Sequence, residues 1–395
     1  MFEPFRSAGV SHHRATPGPS PDVSHVLSQT HFDTAEREIR TWDGYAETPL
    51  ISLTDLAEAL DLGEVLYKHE GPRFGLGSFK ALGGAYAVSR VLQREISRIE
   101  GREVPLDEIR DGKFAHHTAG ITFISATDGN HGRSVAWGAG RFGAPCRIYI
   151  HAEVSAYREK VLGELGAEVI RVDGDYDETV EQTRKDAEEH GWLIVSDTSW
   201  PGYVEPPREV MAGYGLMARE VVRALPEAPT HVFLQGGVGG LAAAVAAVFA
   251  QEWGEAAPRV VIVEPELAPC LIASARANGL TAVKIEEETI MAGLSCGEPS
   301  ELAWNVLSRL AGDYMTIPEA VVGPTVRMLA RPSGAQPAIE AGESGVAGLC
   351  GMISAAVQAP LRDRLALDGD ARVVLMGSEG VTDPHVFADL MAGAD

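Results

Sequence analysis

Three short segments hold residues whose types and spacing could do chemistry. Residues 71–86 read GPRFGLGSFKALGGAY, a polar, glycine-rich turn running into a helix, with a single lysine, Lys80, at the helix start. A lysine there faces the positive end of the helix macrodipole, at a cost of roughly a few tenths of a kcal/mol that favours its neutral form. Depressed basicity is what a lysine needs to capture a carbonyl compound as a Schiff base. Taken alone, such a lysine is also an ordinary solvated surface residue.

The second segment, Ser125-Ala-Thr-Asp-Gly-Asn-His-Gly132, follows an expected strand and opens a helix. Its backbone N–H groups therefore point out of the carboxyl edge of a sheet, where anions bind. Thr127, Gly129 and the amides after them could hold a carboxylate, and Asn130 offers a neutral donor to a ring oxygen. Asp-Gly-Asn is equally a good tight turn. The third segment is Gln235-Gly-Gly-Val-Gly-Gly240, between a strand and an alanine-rich helix. Gly236, Gly237, Gly239 and Gly240, with Val238 among them, let the backbone wrap an anion at a positive helix end. The dinucleotide pattern is met only loosely, with Ala242 in its last position, and the Walker lysine is absent, so a nucleotide site is the weaker reading.

The elements that must position these segments alternate along the chain. Strand-like runs cover 64–68, 122–126, 146–150, 168–172, 193–196, 231–235, 260–264 and 372–376. Helical patterns cover 80–99, 132–142, 156–165, 177–190, 214–224 and 240–251. This alternation predicts an α/β fold of two doubly wound domains with mainly parallel sheets. At 395 residues the chain is too long for one ordinary core, so a cleft between domains is expected. The expected large domain takes 1–85 and 208–395 and the small one 86–207, with 1–40 as an extended arm of the kind that wraps a partner subunit.

Composition removes other classes. A net charge of -23 without clustered Lys and Arg argues against nucleic acid and against anionic membrane surfaces. No apolar run approaches the roughly 20 residues of a membrane span, and 1–41 lacks the layout of a signal peptide. The four cysteines lie far apart without zinc-like spacing, so no metal site is expected and a cytoplasmic location with reduced thiols is.

Together and in this order, the three segments resemble the fold-type II pyridoxal-phosphate family that includes serine and threonine dehydratases and tryptophan synthase β-chains. The resemblance covers roughly residue 50 to the C-terminus. It implies that Lys80 of Ser78-Phe79-Lys80 binds pyridoxal 5'-phosphate as a Schiff base beside Phe79. It also implies that Asn130-His131-Gly132 lies against the ring and that Gly236 to Gly240 bind the phosphate. Phe74 to Tyr86, Thr127 to Arg133, Asp197-Thr-Ser-Trp-Pro-Gly-Tyr203, Met211 to Gly215, Gly342-Glu-Ser-Gly345 and Ser378-Glu-Gly-Val-Thr-Asp383 are similar to the diaminopropionate ammonia-lyase subfamily.

That likeness implies β-elimination of 2,3-diaminopropionate to pyruvate and ammonia by a homodimer acting on a small amino acid. Asp128 would take the Cα proton of the D-substrate, Asp197 would assist on the other face, and Lys80 would serve the L-substrate. Thr127, Asp128, Gly129 and Ser344 would bind substrate. Asp197 closes an expected strand, however, and a capping role stays open. Thr382, or failing that Ser378, is the expected partner of the ring nitrogen, and Asp383 beside Thr382 keeps that assignment open. Cys270 and Cys296 lie in loops where the family can carry a cysteine pair, and two buried free thiols are expected. The residues 206–209, PPRE, depart from the more apolar family pattern. A serine, threonine or hydroxyaspartate dehydratase, a β-replacement enzyme of the same fold, and a catalytically silent ligand sensor are the rival readings.

Overall fold

The computed structural model describes residues 1–393 apart from 19, 128, 333 and 335, and of Asp177 only the backbone. Its strands are β1 (Ser11–Arg14), β2 (Leu50–Ser52), β3 (Glu64–His69), β4 (Phe123–Ala126), β5 (Cys146–Ile150), β6 (Glu168–Arg171), β7 (Leu193–Ile194), β8 (His231–Gln235), β9 (Arg259–Pro265), β10 (Ala311–Ile317) and β11 (Arg372–Gly377). They belong to two compact units. One comprises Met1–Gln29, Ala46–Phe79 and Met217–Asp395, the other Thr30–Tyr45 and Lys80–Leu216. The fold is α/β with mainly parallel sheets, as the alternation of elements predicts.

In the first unit the sheet order is β1-β10-β9-β8-β11-β3-β2, with parallel pairing throughout except at the edge strands β1 and β2. β8, HVFLQ, is buried at every position, as a central parallel strand covered on both faces requires. The helices Gly240–Trp253 and Ala347–Val357 are buried for most of their length. Their alanines and glycines are what allow a whole helix to pass into the interior. The register puts Phe233 beside Leu375 and Leu375 beside Tyr67. The carboxyl ends of β8, β11 and β3 are therefore neighbours, and the chain leaving them carries Gly236–Gly240, Ser378–Thr382 and the turn that ends at Phe79.

In the second unit four parallel strands run in the order β6-β5-β4-β7. The helix Lys80–Glu100 packs on the helix Asn130–Arg141 across small residues. A Cβ at Gly138 would stand 2.5 Å from the Cα of Ala85, so only glycine permits this approach. Ser134 Oγ fixes the register by donating to the carbonyl of Lys80 at 2.7 Å and accepting from the amide of Ala85 at 3.0 Å.

Two expectations change. Residues 1–40, expected as an extended arm, contain the helix Glu3–Arg6, the strand β1 and the helix Gln29–Ile39. β1 is anchored by chemistry too sparse to show a period: His12 Nε2 meets Asp313 Oδ1 at 2.9 Å, and Arg259 donates to both oxygens of Asp313. The helix expected over 214–224 starts at Glu205, because Pro206 and Pro207 fall in its first turn, where no N–H is needed. Among the described residues no helix is long and apolar enough to cross a membrane.

Candidate active site

Lys80 is the first residue of its helix, and its Nζ donates to Asp197 Oδ2 at 2.5 Å. The ammonium also stands 5.9 Å from the ring centre of Tyr214. The side chains of Lys80 and Asp197 keep 19% and 21% of their surface exposed, enough for a small molecule to reach both. Burial alone would push the Asp197 carboxyl up, but the Lys80 ammonium and then His131 hold it well below the usual carboxylate range. Asp197 is thus engaged with the lysine's head group, which a residue that only closed a strand would not be.

His131 follows Asn130 at the start of its helix and is buried. Its Nε2 lies 2.9 Å from the carbonyl of Val195, two residues before Asp197, and its Nδ1 lies 3.9 Å from Asp197 Oδ2. Burial lowers the basicity of this imidazole, with Asp197 opposing and Lys80 adding to the effect. Gly129 is the N-cap of the helix and gives it no side-chain cap, so the first-turn amides point away from the sheet. Thr127 Oγ1 accepts from the Gly129 amide at 3.4 Å. Asp128 lies outside the described residues.

The other sequence-predicted residues belong to the first unit, and one side chain ties several together. Gln235, at the end of β8, donates from Nε2 to Ser378 Oγ at 2.8 Å, to the carbonyl of Met376 at 2.5 Å and to that of Gly345 at 3.3 Å. The Phe79 amide donates to the Ser378 carbonyl at 2.9 Å. Ser344 is held by Glu379, whose Oε1 accepts from its amide at 2.9 Å, while its hydroxyl accepts from the Gly293 amide at 3.1 Å. Asp383 Oδ1 accepts from the amides of His385 and Val386. It caps the final helix, which leaves Thr382 and Ser378 as the hydroxyl candidates in that loop.

The glycine loop fits a phosphate. No side chain caps the 14-residue helix Gly240–Trp253, so its first-turn amides are free to meet an anion. Gly239 sits at φ 93° and a Cβ there would come 3.1 Å from Ala303 Cβ and Leu307 Cδ1. Behind the loop, Glu264 accepts from the amides of Leu271 and Ile272, and burial pushes its carboxyl up to about 8. At neutral pH it therefore sets little negative charge against a phosphate. Cys270 and Cys296 are free thiols, the first buried and the second half-buried. Burial and Glu264 push the Cys270 thiol up, so it stays protonated beside the Gly237 carbonyl at 3.5 Å.

The family model for pyridoxal-phosphate dependent enzymes matches residues 41–379. The chain belongs to that family. It is 37% identical over 381 residues to the diaminopropionate ammonia-lyase of Escherichia coli strain K12, covering 94% of this chain and 93% of that one. Its fold matches the crystal structure of the holo form of diaminopropionate ammonia lyase from Escherichia coli with a TM-score of 0.89, at 33% identity and 98% coverage of both chains. The same lyase in complex with an aminoacrylate-PLP azomethine reaction intermediate matches with a TM-score of 0.86 over 98% of both chains.

The chain is a pyridoxal-phosphate enzyme and a lyase of fold type II. For the cofactor phosphate, the donors and space at Gly236–Gly240 are the right kind. Gly239→Val is expected to cost about 1–3 kcal/mol of backbone strain, weakening cofactor retention roughly 5- to 150-fold. Cofactor remaining after dialysis measures this, and full retention would mean that the loop serves something else. Two features of the enzyme escaped the sequence: the Gln235 amide, which looked like the end of a strand, and the approach of His131 to Asp197. The Asn-His-Gly motif flagged His131 without any role for its ring.

Proposed function

We propose that this enzyme eliminates the β-amine of 2,3-diaminopropionate to give pyruvate and ammonia. The observation that carries this reading is the Lys80 amine 2.5 Å from the Asp197 carboxylate, both within reach of solvent. Such a pair can take a proton from one carbon and give it to an adjacent leaving group. The aminoacrylate in the Escherichia coli relative is the product expected of that elimination.

Lys80 would carry the cofactor, with Phe79 beside it, Asn130 donating to the ring oxygen, and Gly236, Gly237, Val238, Gly239 and Gly240 holding the phosphate. Thr382 or Ser378 would face the ring nitrogen with a hydroxyl. When bound, pyridoxal phosphate supplies an electron sink that makes the substrate Cα–H acidic. Lys80 Nζ takes that proton from the L-substrate. Asp128 takes it from the D-substrate on the opposite face, and Asp197 holds the proton that Lys80 Nζ gains or gives to the leaving amine. Thr127, Gly129 and Ser344 would bind the substrate carboxylate and orient it. The enzyme would act as a cytoplasmic homodimer, a state that light scattering measures directly.

Asp128→Asn tests the substrate. It keeps shape and hydrogen bonding while removing the base, whose loss typically costs about a hundred- to ten-thousand-fold. Turnover of D-diaminopropionate should fall by at least about a hundredfold with the cofactor still bound. Equal turnover by mutant and parent, or a parent that ignores both enantiomers and consumes serine rapidly, would favour a dehydratase.

A further inference from the structure

The ring of His131 has one nitrogen committed and one bare. The Val195 carbonyl accepts both from Ser125 Oγ at 2.9 Å and from His131 Nε2 at 2.9 Å. A carbonyl only accepts, so Nε2 must carry the hydrogen, and in the neutral ring Nδ1 then holds a lone pair. His131 is 6% exposed, and Nδ1 is buried without a hydrogen-bond partner among the described residues. Its neighbour at 3.9 Å is Asp197 Oδ2, the oxygen that also meets Lys80 Nζ at 2.5 Å. A lone pair facing a carboxylate oxygen is unfavourable unless a proton lies between them.

We propose that His131 is a positioning residue for the Lys80 proton: through Asp197 it receives that proton and leaves Nζ as a neutral nucleophile. The inference rests on the reading of Lys80 as the cofactor-binding amine. An ammonium held by a carboxylate at 2.5 Å cannot attack a carbonyl carbon, so its proton must leave. The Nζ–H bond breaks with its electron pair kept on nitrogen, an Oδ2–H bond forms, and the proton passes to the Nδ1 lone pair when Oδ2 and Nδ1 close from 3.9 Å to hydrogen-bond distance. Burial, which lowers the ring's basicity, keeps the imidazolium brief, so Nζ is neutral during attack and the proton returns afterwards. Ammonium, carboxylate and neutral ring become amine, carboxylate and imidazolium, so the net charge of the three is zero throughout.

Among the described residues, the two phenols beside this trio do not compete for the proton. Tyr203 accepts from the Ser196 amide and donates to the Ile194 carbonyl, and Tyr214 presents its ring to Lys80. Burial pushes both phenols up, so each remains neutral.

The test is the rate at which the full-length chain, freed of cofactor, captures added pyridoxal phosphate as its visible band, measured from pH 6 to 9. That rate reports the neutral Lys80 amine without any turnover. His131→Gln keeps an amide for Val195 but has no basic nitrogen, and His131→Phe removes both. Both variants should capture cofactor about tenfold more slowly at pH 7 and reach the parent rate near pH 9, an acid limb moved up by about one unit. Final occupancy should be unchanged, which certifies folding. Superimposed profiles, or variants slowed equally at every pH, would overturn the proposal, since a ring that only fills space has no reason to act at low pH alone. If the parent itself forms no visible band and yields no pyruvate, the reading of Lys80 fails first. If the parent does both and the profiles superimpose, only the role of His131 fails.

Discussion

Replacing Lys80 with alanine is expected to abolish the visible absorbance of lysine-bound cofactor and to lower pyruvate formation from diaminopropionate by ~10⁴-fold. In the proposed mechanism one side chain supplies two functions, covalent capture and proton transfer, so its loss should fall at the upper end of what a single acid–base group contributes. The structure adds a consequence at a distance. Asp197 owes its low pKa mainly to the Lys80 ammonium, working against burial. Without that ammonium the carboxyl should rise and bind a proton more readily, so added methylamine should not restore the parent's pH profile even where it restores some turnover. Lys80→Arg separates charge from chemistry, because a guanidinium can pair with Asp197 but stays protonated and does not condense. Arginine should preserve stability and abolish turnover. Turnover within tenfold of the parent in either variant would remove Lys80 from the mechanism.

How much of this was legible in the sequence depends on the range of the interaction. The three chemical segments stood out because each writes its glycines, its polar residues and a helix start side by side in the sequence. The parallel strands β8 and β11 were legible because a strand buried on both faces is a continuous apolar run. Strand β1 was not, since four residues, SHHR, exposed at both ends and half-buried at the two histidines between, carry no period, and its anchor is an aspartate three hundred residues away in β10. The role of Asp383 was open for a similar reason: the same carboxylate reads as a ring partner or as a cap until the amides of His385 and Val386 are seen to claim it. His131 and Asp197 meet only because β4 and β7 are neighbours in the second sheet, which carries Val195 and Asp197 to the start of the Asn130–Arg141 helix. Sheet order is a tertiary fact, and no local pattern encodes it.

A second large effect is expected far from any reacting atom, at Glu220. Lys68, Glu70, Arg73 and Glu220 are each at most 2% exposed, two cations and two anions sealed in the first unit with Thr48. Arg73 donates to both oxygens of Glu220 at 3.0 and 2.7 Å and to both oxygens of Glu70 at 2.9 and 2.8 Å. Lys68 donates to Glu220 Oε2 at 2.5 Å and to the Thr48 carbonyl at 2.7 Å. Glu220→Gln keeps the volume but leaves the cluster with an uncompensated positive charge, and breaking a buried pair costs about 3–5 kcal/mol. That is a large share of the roughly 5–15 kcal/mol by which folded domains are stable. Burial would raise the Glu220 carboxyl, yet Arg73 and Lys68 outweigh it and hold the group below its ordinary 4.5. A carboxyl depressed in the folded state adds stability that is complete above its unfolded value and fades as pH falls through the folded one. The gap between parent and Glu220→Gln should therefore be widest near neutral pH and should narrow once the medium falls below about pH 4. Arg73 also anchors the turn that delivers Phe79, so the variant should lose cofactor on dialysis before it unfolds. Urea titrations at pH 7 and at about pH 3 measure the gap. A difference under about 1 kcal/mol at pH 7, the value of an exposed pair, would mean that the cluster is hydrated in solution and that its four charges do not depend on one another.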